Sequence, residues 1–185
     1  MTATTLRPAT PSDAGLIAGM LARSRASAYR GMLPDAYLDH EVLAEGIAEW
    51  PLKLQALADG AGSTLIAIRQ GAPIGFICML APDDNGSVLV DNLHTLPDQK
   101  GGGAGTAMLD AAAEWARQRG ATGLHLFVIE ANVAAIGFYE SRGWQLAGRM
   151  NDPRILIVSL FNSKKFKFVS LIFNVFNTVE NFFNN

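Results

Sequence analysis

The sequence has almost no cysteine. Cys78 is the single one among 185 residues, so no internal disulfide can form. Stability must then come from an apolar core, and a chain of this length buries one without cross-links. Cys78 lies in the apolar run Phe76-Ile77-Cys78-Met79-Leu80, where it reads as a small buried hydrophobe and not as a nucleophile. Charge is also sparse. Only 17% of residues are charged, the formal net charge is −2, and Lys and Arg form no cluster, which excludes a large nucleic-acid footprint. No uninterrupted apolar stretch reaches the roughly 18 residues of a spanning helix, and Met1 to Thr10 carry no apolar run of the signal-peptide kind. The expectation from these absences is a cytoplasmic protein of a reducing compartment, with no membrane partner and no nucleic acid. No metal is expected, and no repeat of fixed period occurs.

What is present is an alternation of strand and helix signals. Leu6-Arg7-Pro8 reads as a short strand. Thr10 to Asp13 supply capping side chains, and Leu16, Ile17, Met20 and Leu21 recur at helical spacing, giving a helix over 12–29. A second helical region follows from Glu41 to Ala58, with Pro51 interrupting it or starting its second half. Thr64 to Arg69 and Pro73 to Leu80 form a hairpin around Gln70-Gly71-Ala72. Val88 to Leu96 is a strand stopped by Pro97. A glycine-rich loop at 101–105 then opens a helix to Arg119, with Leu109, Ala112, Ala113 and Ala116 as its small, close-packing face. A strand over 124–129, a short helix over 133–141 and a strand over 144–147 complete the order β-α-α-β-β-β-α-β-α-β. That order predicts an α/β (α+β) domain with one mixed central sheet flanked by helices.

The domain is expected to span 1–160, with Ile155 to Leu160 able to close it as a further strand. Residues 161–185 differ in composition. Seven of the ten phenylalanines fall after residue 160 and no Ala or Gly follows Gly148, so this segment is set apart as atypical, without a catalytic role. The alternation Lys165-Phe166-Lys167-Phe168 would suit an edge strand.

The most informative stretch is Lys100-Gly101-Gly102-Gly103-Ala104-Gly105-Thr106, between a strand end and a helix start. Glycines there allow unusual dihedrals and close approach of backbone N–H groups to a ligand, and a helix N-terminus favours an anion such as a pyrophosphate. A nucleoside-triphosphate loop would need Lys before Thr106, where Gly105 stands, and a dinucleotide fingerprint would need Gly at 106.

This loop resembles the acetyl-coenzyme A loop of the GNAT N-acetyltransferase family, which reads Gln/Arg-x-x-Gly-x-Gly/Ala. Aligned on Gly103 and Gly105, the first position is Lys100; shifted by one, it is Gln99, with Gly102 and Ala104 following. A second segment, Asn132-Val133-Ala134-Ala135-Ile136-Gly137-Phe138-Tyr139-Glu140-Ser141-Arg142-Gly143-Trp144, is similar to the family's Asn-x-x-Ala-x-x-Phe-Tyr-x-x-x-Gly-Phe/Trp. Ala28-Tyr29-Arg30-Gly31-Met32-Leu33-Pro34-Asp35-Ala36-Tyr37-Leu38 is similar to many bacterial members, and the resemblance covers residues 4–150.

The resemblance implies an enzyme that moves the acetyl group of acetyl-coenzyme A to a primary amine of a small molecule or peptide. It implies a pyrophosphate held by backbone N–H groups over Gly101 to Gly105, with Leu96, Lys100, Thr106 and Asn132 also at the cofactor. The sheet is expected to splay after the strand at 88–96, where an N–H near Thr95 or Leu96 would polarise the thioester carbonyl. Tyr139 takes the place of the family's general acid, since a phenol with a pKa near 10 stays protonated at neutral pH. Tyr29 and Tyr37 fall where the family builds its acceptor site. Asp91 or His94 would accept the amine proton through a water. Strand alternation puts Asp91, Leu93 and Thr95 on one face and Asn92 and His94 on the other, so only a bulge would let both face the acceptor. The competing reading is a catalytically silent module that binds acyl-coenzyme A as a sensor or scaffold. A homodimer is compatible with either.

Overall fold

The computed structural model describes residues 3–152 and 155–162. Its elements are β1 (Thr5–Pro8), α1 (Ala14–Ala28), α2 (Val42–Ala56), β2 (Gly62–Arg69), β3 (Ala72–Leu80), β4 (Ser87–Thr95), α3 (Ala104–Gln118), β5 (Gly123–Ile129), α4 (Val133–Glu140), β6 (Gln145–Asp152) and β7 (Ile155–Asn162). One mixed sheet runs β1-β2-β3-β4-β5-β7-β6. The β4–β5 pair is parallel and the others are antiparallel.

Period-two alternation along β3 sorts the core into two layers. Phe76 and Cys78 face α1 and α2, where they pack with Ile17, Leu21, Trp50 and Leu54. Ile77 and Met79 face α3, where Met108, Leu109, Ala112, Ala113 and Ala116 lie against the sheet. The small face foreseen for α3 is what brings that helix close to the strands. Cys78 is fully buried, and burial pushes its thiol up to about 11, so it behaves as core and not as a nucleophile. Trp50 also belongs to the core, edge-on to Phe76 with ring centroids 5.3 Å apart.

Three expectations about elements are amended. Pro51 lies inside α2 and does not interrupt it. It is exposed, so the intrahelical hydrogen bond it cannot donate is lost on the solvent side. The strand after α4 begins at Gln145 rather than Trp144, which is buried, and it extends to Asp152. The closing strand at 155 forms as β7, reaches Asn162, and pairs with both β5 and β6. It therefore runs two residues past the strand end expected at Leu160. The edge-strand expectation for 165–168, like the rest of 163–185, lies outside the described residues.

Candidate active site

The site begins with a defect in the sheet. β4 and β5 pair only over Ser87–Leu89, opposite Gly123–His125, and then part. β4 stays bound to β3 as far as Thr95, so the opening has one intact wall. The Leu96 N–H donates to the Ile74 carbonyl at 2.9 Å. Because an antiparallel ladder alternates its pairing, the Thr95 N–H points away from β3 and towards the opening. Of the two positions considered for polarising a carbonyl, Leu96 is thus occupied and Thr95 is available. The Leu96 side chain is buried against α1 and α2 and does not line the opening.

A bulge shapes the same strand. Cys78 pairs with Asn92 and Met79 with Val90, which leaves Asp91 without a partner across β3. Strict alternation therefore fails at this point. Val90 and Leu93 face the α3 layer, whereas Asp91 reaches Lys53 on α2 and His94 reaches Ser24 on α1. Asp91 and His94 consequently point to the same side, correcting the expectation that they face opposite ways.

Between the parted strands lies a cleft of about 720 Å³. Lys100, Gly101, Gly103, Ala104, Gly105 and Thr106 form one end of its lining. Gly101 and Gly103 have φ of 78° and 81°, a conformation side chains avoid, and Gly103 is the N-cap of α3. No side chain caps α3, so its first N–H groups remain available to an anion. Gly102 points the other way. Its carbonyl accepts a 2.7 Å hydrogen bond from Arg69, whose guanidinium also reaches Thr4 and Gln99. A Cβ at Gly105 would come within 2.9 Å of the Phe138 ring, so glycine lets α4 close over α3. Arg142 completes this end: it donates to Thr106 Oγ1 at 2.9 Å and to the Phe138 carbonyl at 2.8 Å, and lies 3.8 Å from the Phe138 ring centroid.

Tyr139, buried between Phe138 and Trp144, also lines the cleft. Burial raises its phenol above the ordinary value and the neighbouring Tyr29 adds to the effect, so the hydroxyl keeps its proton across the neutral range. Asn132 caps α4 by accepting from the Ala135 N–H at 3.1 Å while lining the cleft. His94 is pushed down to about 3, first by burial and then by Arg25 and Lys100, so it is neutral. Asp91 bonds Lys53 Nζ at 2.5 Å. Burial works to lower the Lys53 ammonium, but the Asp91 carboxylate prevails and its pKa stands raised. Tyr29 lines the cleft, whereas Tyr37 lies outside the lining and donates to Glu45 at 2.9 Å. His125 bonds Ser87 Oγ at 2.8 Å inside the sheet, as a satisfied strand histidine would.

Sequence reasoning missed four cations: Arg25, Lys53, Arg69 and Arg142. Arg142 sat within a motif already singled out. The other three reach the site from separate elements and left no local signal. Arg25, Lys100 and Arg142 line the cleft, against one carboxylate, Asp91, which Lys53 already engages. The cleft is accordingly cationic and suits an anionic ligand with a long, partly apolar body. Glycine-loop N–H groups, Lys100 and Arg142 are the groups fit to hold phosphates.

A strand pair that parts beside a glycine loop, with the loop opening onto a helix, is the arrangement that the resemblance to the GNAT family implies. The family model for the acetyltransferase (GNAT) family matches residues 25–144, and this chain belongs to that family. Among solved structures, it is similar to the PaiA N-acetyltransferase of Thermoplasma acidophilum in complex with coenzyme A. The TM-score is 0.74 at 16% identity, over 85% of this chain and 98% of that one. It is also similar to a GCN5-related N-acetyltransferase of Rhodopseudomonas palustris, with TM-score 0.72 and 26% identity over 88% and 97% of the two chains. The ribosomal-protein-alanine N-acetyltransferase of Brucella melitensis shares the fold at TM-score 0.68 and 18% identity, over 86% and 99%. No curated protein matches. No helix among the described residues is long and apolar enough to cross a membrane.

Proposed function

We propose that this protein transfers the acetyl group of acetyl-coenzyme A to a primary amine of a small molecule or peptide. The observation that carries the reading is the parting of β4 from β5 beside an uncapped, glycine-lined start of α3, with the Tyr139 hydroxyl in the same cleft. In this reading the N–H groups of Gly101 and Gly103 to Thr106 hold the pyrophosphate, assisted by Lys100 and Arg142. Gly102, turned towards Arg69, braces the loop instead. That favours the alignment in which Lys100, Gly103 and Gly105 occupy the family's positions. Asn132 keeps its capping role and contacts the cofactor from the α4 side.

The acceptor nitrogen attacks the thioester carbonyl carbon, whose oxygen gains charge and is met by the Thr95 N–H. The nitrogen gives up its extra proton to water, the carbon–sulfur bond breaks, the sulfur takes the proton of Tyr139, and solvent restores that proton. The amine must arrive neutral. His94, with its pKa pushed down to about 3, is a weak base, and Asp91 is engaged by Lys53. The amine therefore loses its proton to water, drawn by the cationic surroundings, and not to a strong protein base. Activity then rises with pH towards the amine's own pKa.

Calorimetric titration of acetyl-coenzyme A, beside a Gly103→Glu variant, tests the binding half. Saturable binding that the variant loses is expected, because the new carboxylate repels phosphate and Gly103 has φ of 81°. Release of free thiol across a panel of amines tests the chemical half, with Tyr139→Phe expected to lower kcat by about 100-fold or more. Binding without thiol release from any amine would indicate the silent acyl-coenzyme A module instead. Absence of binding by the folded wild type would overturn both.

A further inference from the structure

We propose that Arg25 anchors a carboxylate on the acceptor, so that the acceptor is an amine of the amino-acid class and not a polyamine. The proposal rests on the acetyl-transfer reading above and narrows its substrate. α1 presents Ser24, Arg25, Ala28 and Tyr29 to the cleft. Ser24 is engaged by His94 at 3.1 Å. Arg25 is different: its Nε is buried and has no hydrogen-bond partner among the described residues. A buried donor left unmatched is destabilising, and a recurrent reason for retaining one is a ligand that completes it.

None of the acidic groups on the neighbouring helical segment or in the cleft forms an ion pair with Arg25. Asp35 and Asp39 both bind Arg30, at 3.0 and 2.6 Å. Glu45 accepts from Tyr37, whose hydroxyl is bonded to the Arg25 guanidinium, but Glu45 makes no ion pair with Arg25 and lies outside the cleft lining. Asp91, across the cleft, is held by Lys53. Among the described residues no carboxylate forms an ion pair with Arg25, so a positive charge stands on the cleft wall beside Tyr29. A guanidinium presents paired N–H groups in a plane, the arrangement that matches a carboxylate through two bonds. A polyamine placed here would meet like charge from Arg25, and Asp91, the one carboxylate lining the cleft, is held by Lys53. For an amine tethered to a carboxylate, the same cation is both an anchor and an influence favouring the neutral, nucleophilic form of the nitrogen.

The test uses the full chain loaded with coenzyme A. Free α-amino acids, each paired with its carboxamide, are titrated calorimetrically, with spermidine and phosphoethanolamine as further probes, and thiol release from acetyl-coenzyme A is measured separately with the same panel. At least one amino acid is expected to bind more tightly than its carboxamide. In Arg25→Gln its Kd should rise about 10- to 100-fold, as for loss of a charge-assisted hydrogen bond, while the carboxamide changes little. Arg25→Lys should keep part of the preference. Carboxamides or spermidine binding as well as the acids would overturn the proposal. So would tighter binding of phosphoethanolamine, which would assign the anchor to a phosphate. A loss of acetyl-coenzyme A affinity in Arg25→Gln matching the loss for amino acids would place Arg25 with the cofactor and refute it too. An acid preference lost in Arg25→Gln, with no thiol release from any amine, would retain the anchor and overturn acetyl transfer.

Discussion

Asp91→Asn separates a structural carboxylate from a catalytic one. Asp91 Oδ2 lies 2.5 Å from Lys53 Nζ and 2.5 Å from Asn92 Nδ2. At an effective dielectric of about 20, the Lys53–Asp91 attraction is roughly 6–7 kcal/mol before desolvation is subtracted. Removing one member of a buried pair costs about 3–5 kcal/mol, because the other is left unmatched. The Asp91 side chain is only 3% exposed but Lys53 keeps 29%, so water relieves the orphaned ammonium in part and the cost falls near the lower figure, about 3 kcal/mol. For a chain of this size that corresponds to a fall in Tm of about 6–12 °C, read by circular dichroism. The folded pKa of Lys53 is raised, so the pair's contribution is fully present below the unfolded lysine value and is lost only as pH climbs through the folded one. The gap between wild type and variant should therefore stay flat from pH 6 to 9. Replacing both partners, Lys53→Met with Asp91→Asn, should recover most of the loss, since an uncharged pair of similar volume avoids burying charge. Once the folded fraction is allowed for, kcat in the thiol-release assay should change by less than about tenfold. An Asp91→Asn protein that melts with the wild type yet loses activity a hundredfold, together with the acid limb of its pH profile, would refute this reasoning and make Asp91 the base.

His94 offers a second test. Its folded pKa lies at about 3, well below the ordinary histidine range, so the unfolded chain takes up a proton that the folded one refuses. Its contribution to stability is complete above about pH 6.5 and is lost as pH falls towards the folded value. Tm should decline between pH 7 and 5, and His94→Gln, which can still bond Ser24, should flatten that decline; an unchanged slope would contradict the burial argument. His125 is lowered in the same direction by burial, so some slope should remain. Gly105→Ala sets two effects against each other. Helix propensity favours alanine by about 1 kcal/mol, but the new Cβ would sit 2.9 Å from a Phe138 ring flanked by Arg142 and Tyr139. Overpacking at about 1–3 kcal/mol should prevail, lowering Tm and weakening acetyl-coenzyme A binding as Arg142 shifts. A more stable variant with unchanged binding would show that α4 yields freely.

The sequence made legible what depends on neighbours along the chain. Gln70-Gly71 forms the turn expected of it, with φ of 52° and 78°. The Leu109–Ala116 face lies against the sheet because small side chains at helical spacing have one efficient place to go. The glycine loop was legible for the same reason, as glycines at a strand–helix junction carry a local meaning. What stayed hidden depends on contacts between distant segments. Nothing near residue 69 indicates that Arg69 will grip the Gly102 carbonyl, and nothing near residue 25 announces a guanidinium on the cleft wall.

The bulge at Asp91 is the instructive case. Neither glycine nor proline marks it, and the one local trace is the adjacent polar pair Asp91-Asn92 between Val90 and Leu93. Its physical origin lies elsewhere: Lys53, 38 residues earlier, brings an ammonium to the α2 side of the sheet, and one extra residue in β4 turns the Asp91 carboxylate to meet it. The exchange has two consequences for the site. It pairs the cleft's carboxylate with Lys53, and it brings Asp91 to the same side as His94, a neutral imidazole. A cleft built this way has little basicity of its own and a surplus of positive charge. In the proposed reaction such a cleft would favour an acceptor that supplies its own anion and gives up its proton to water.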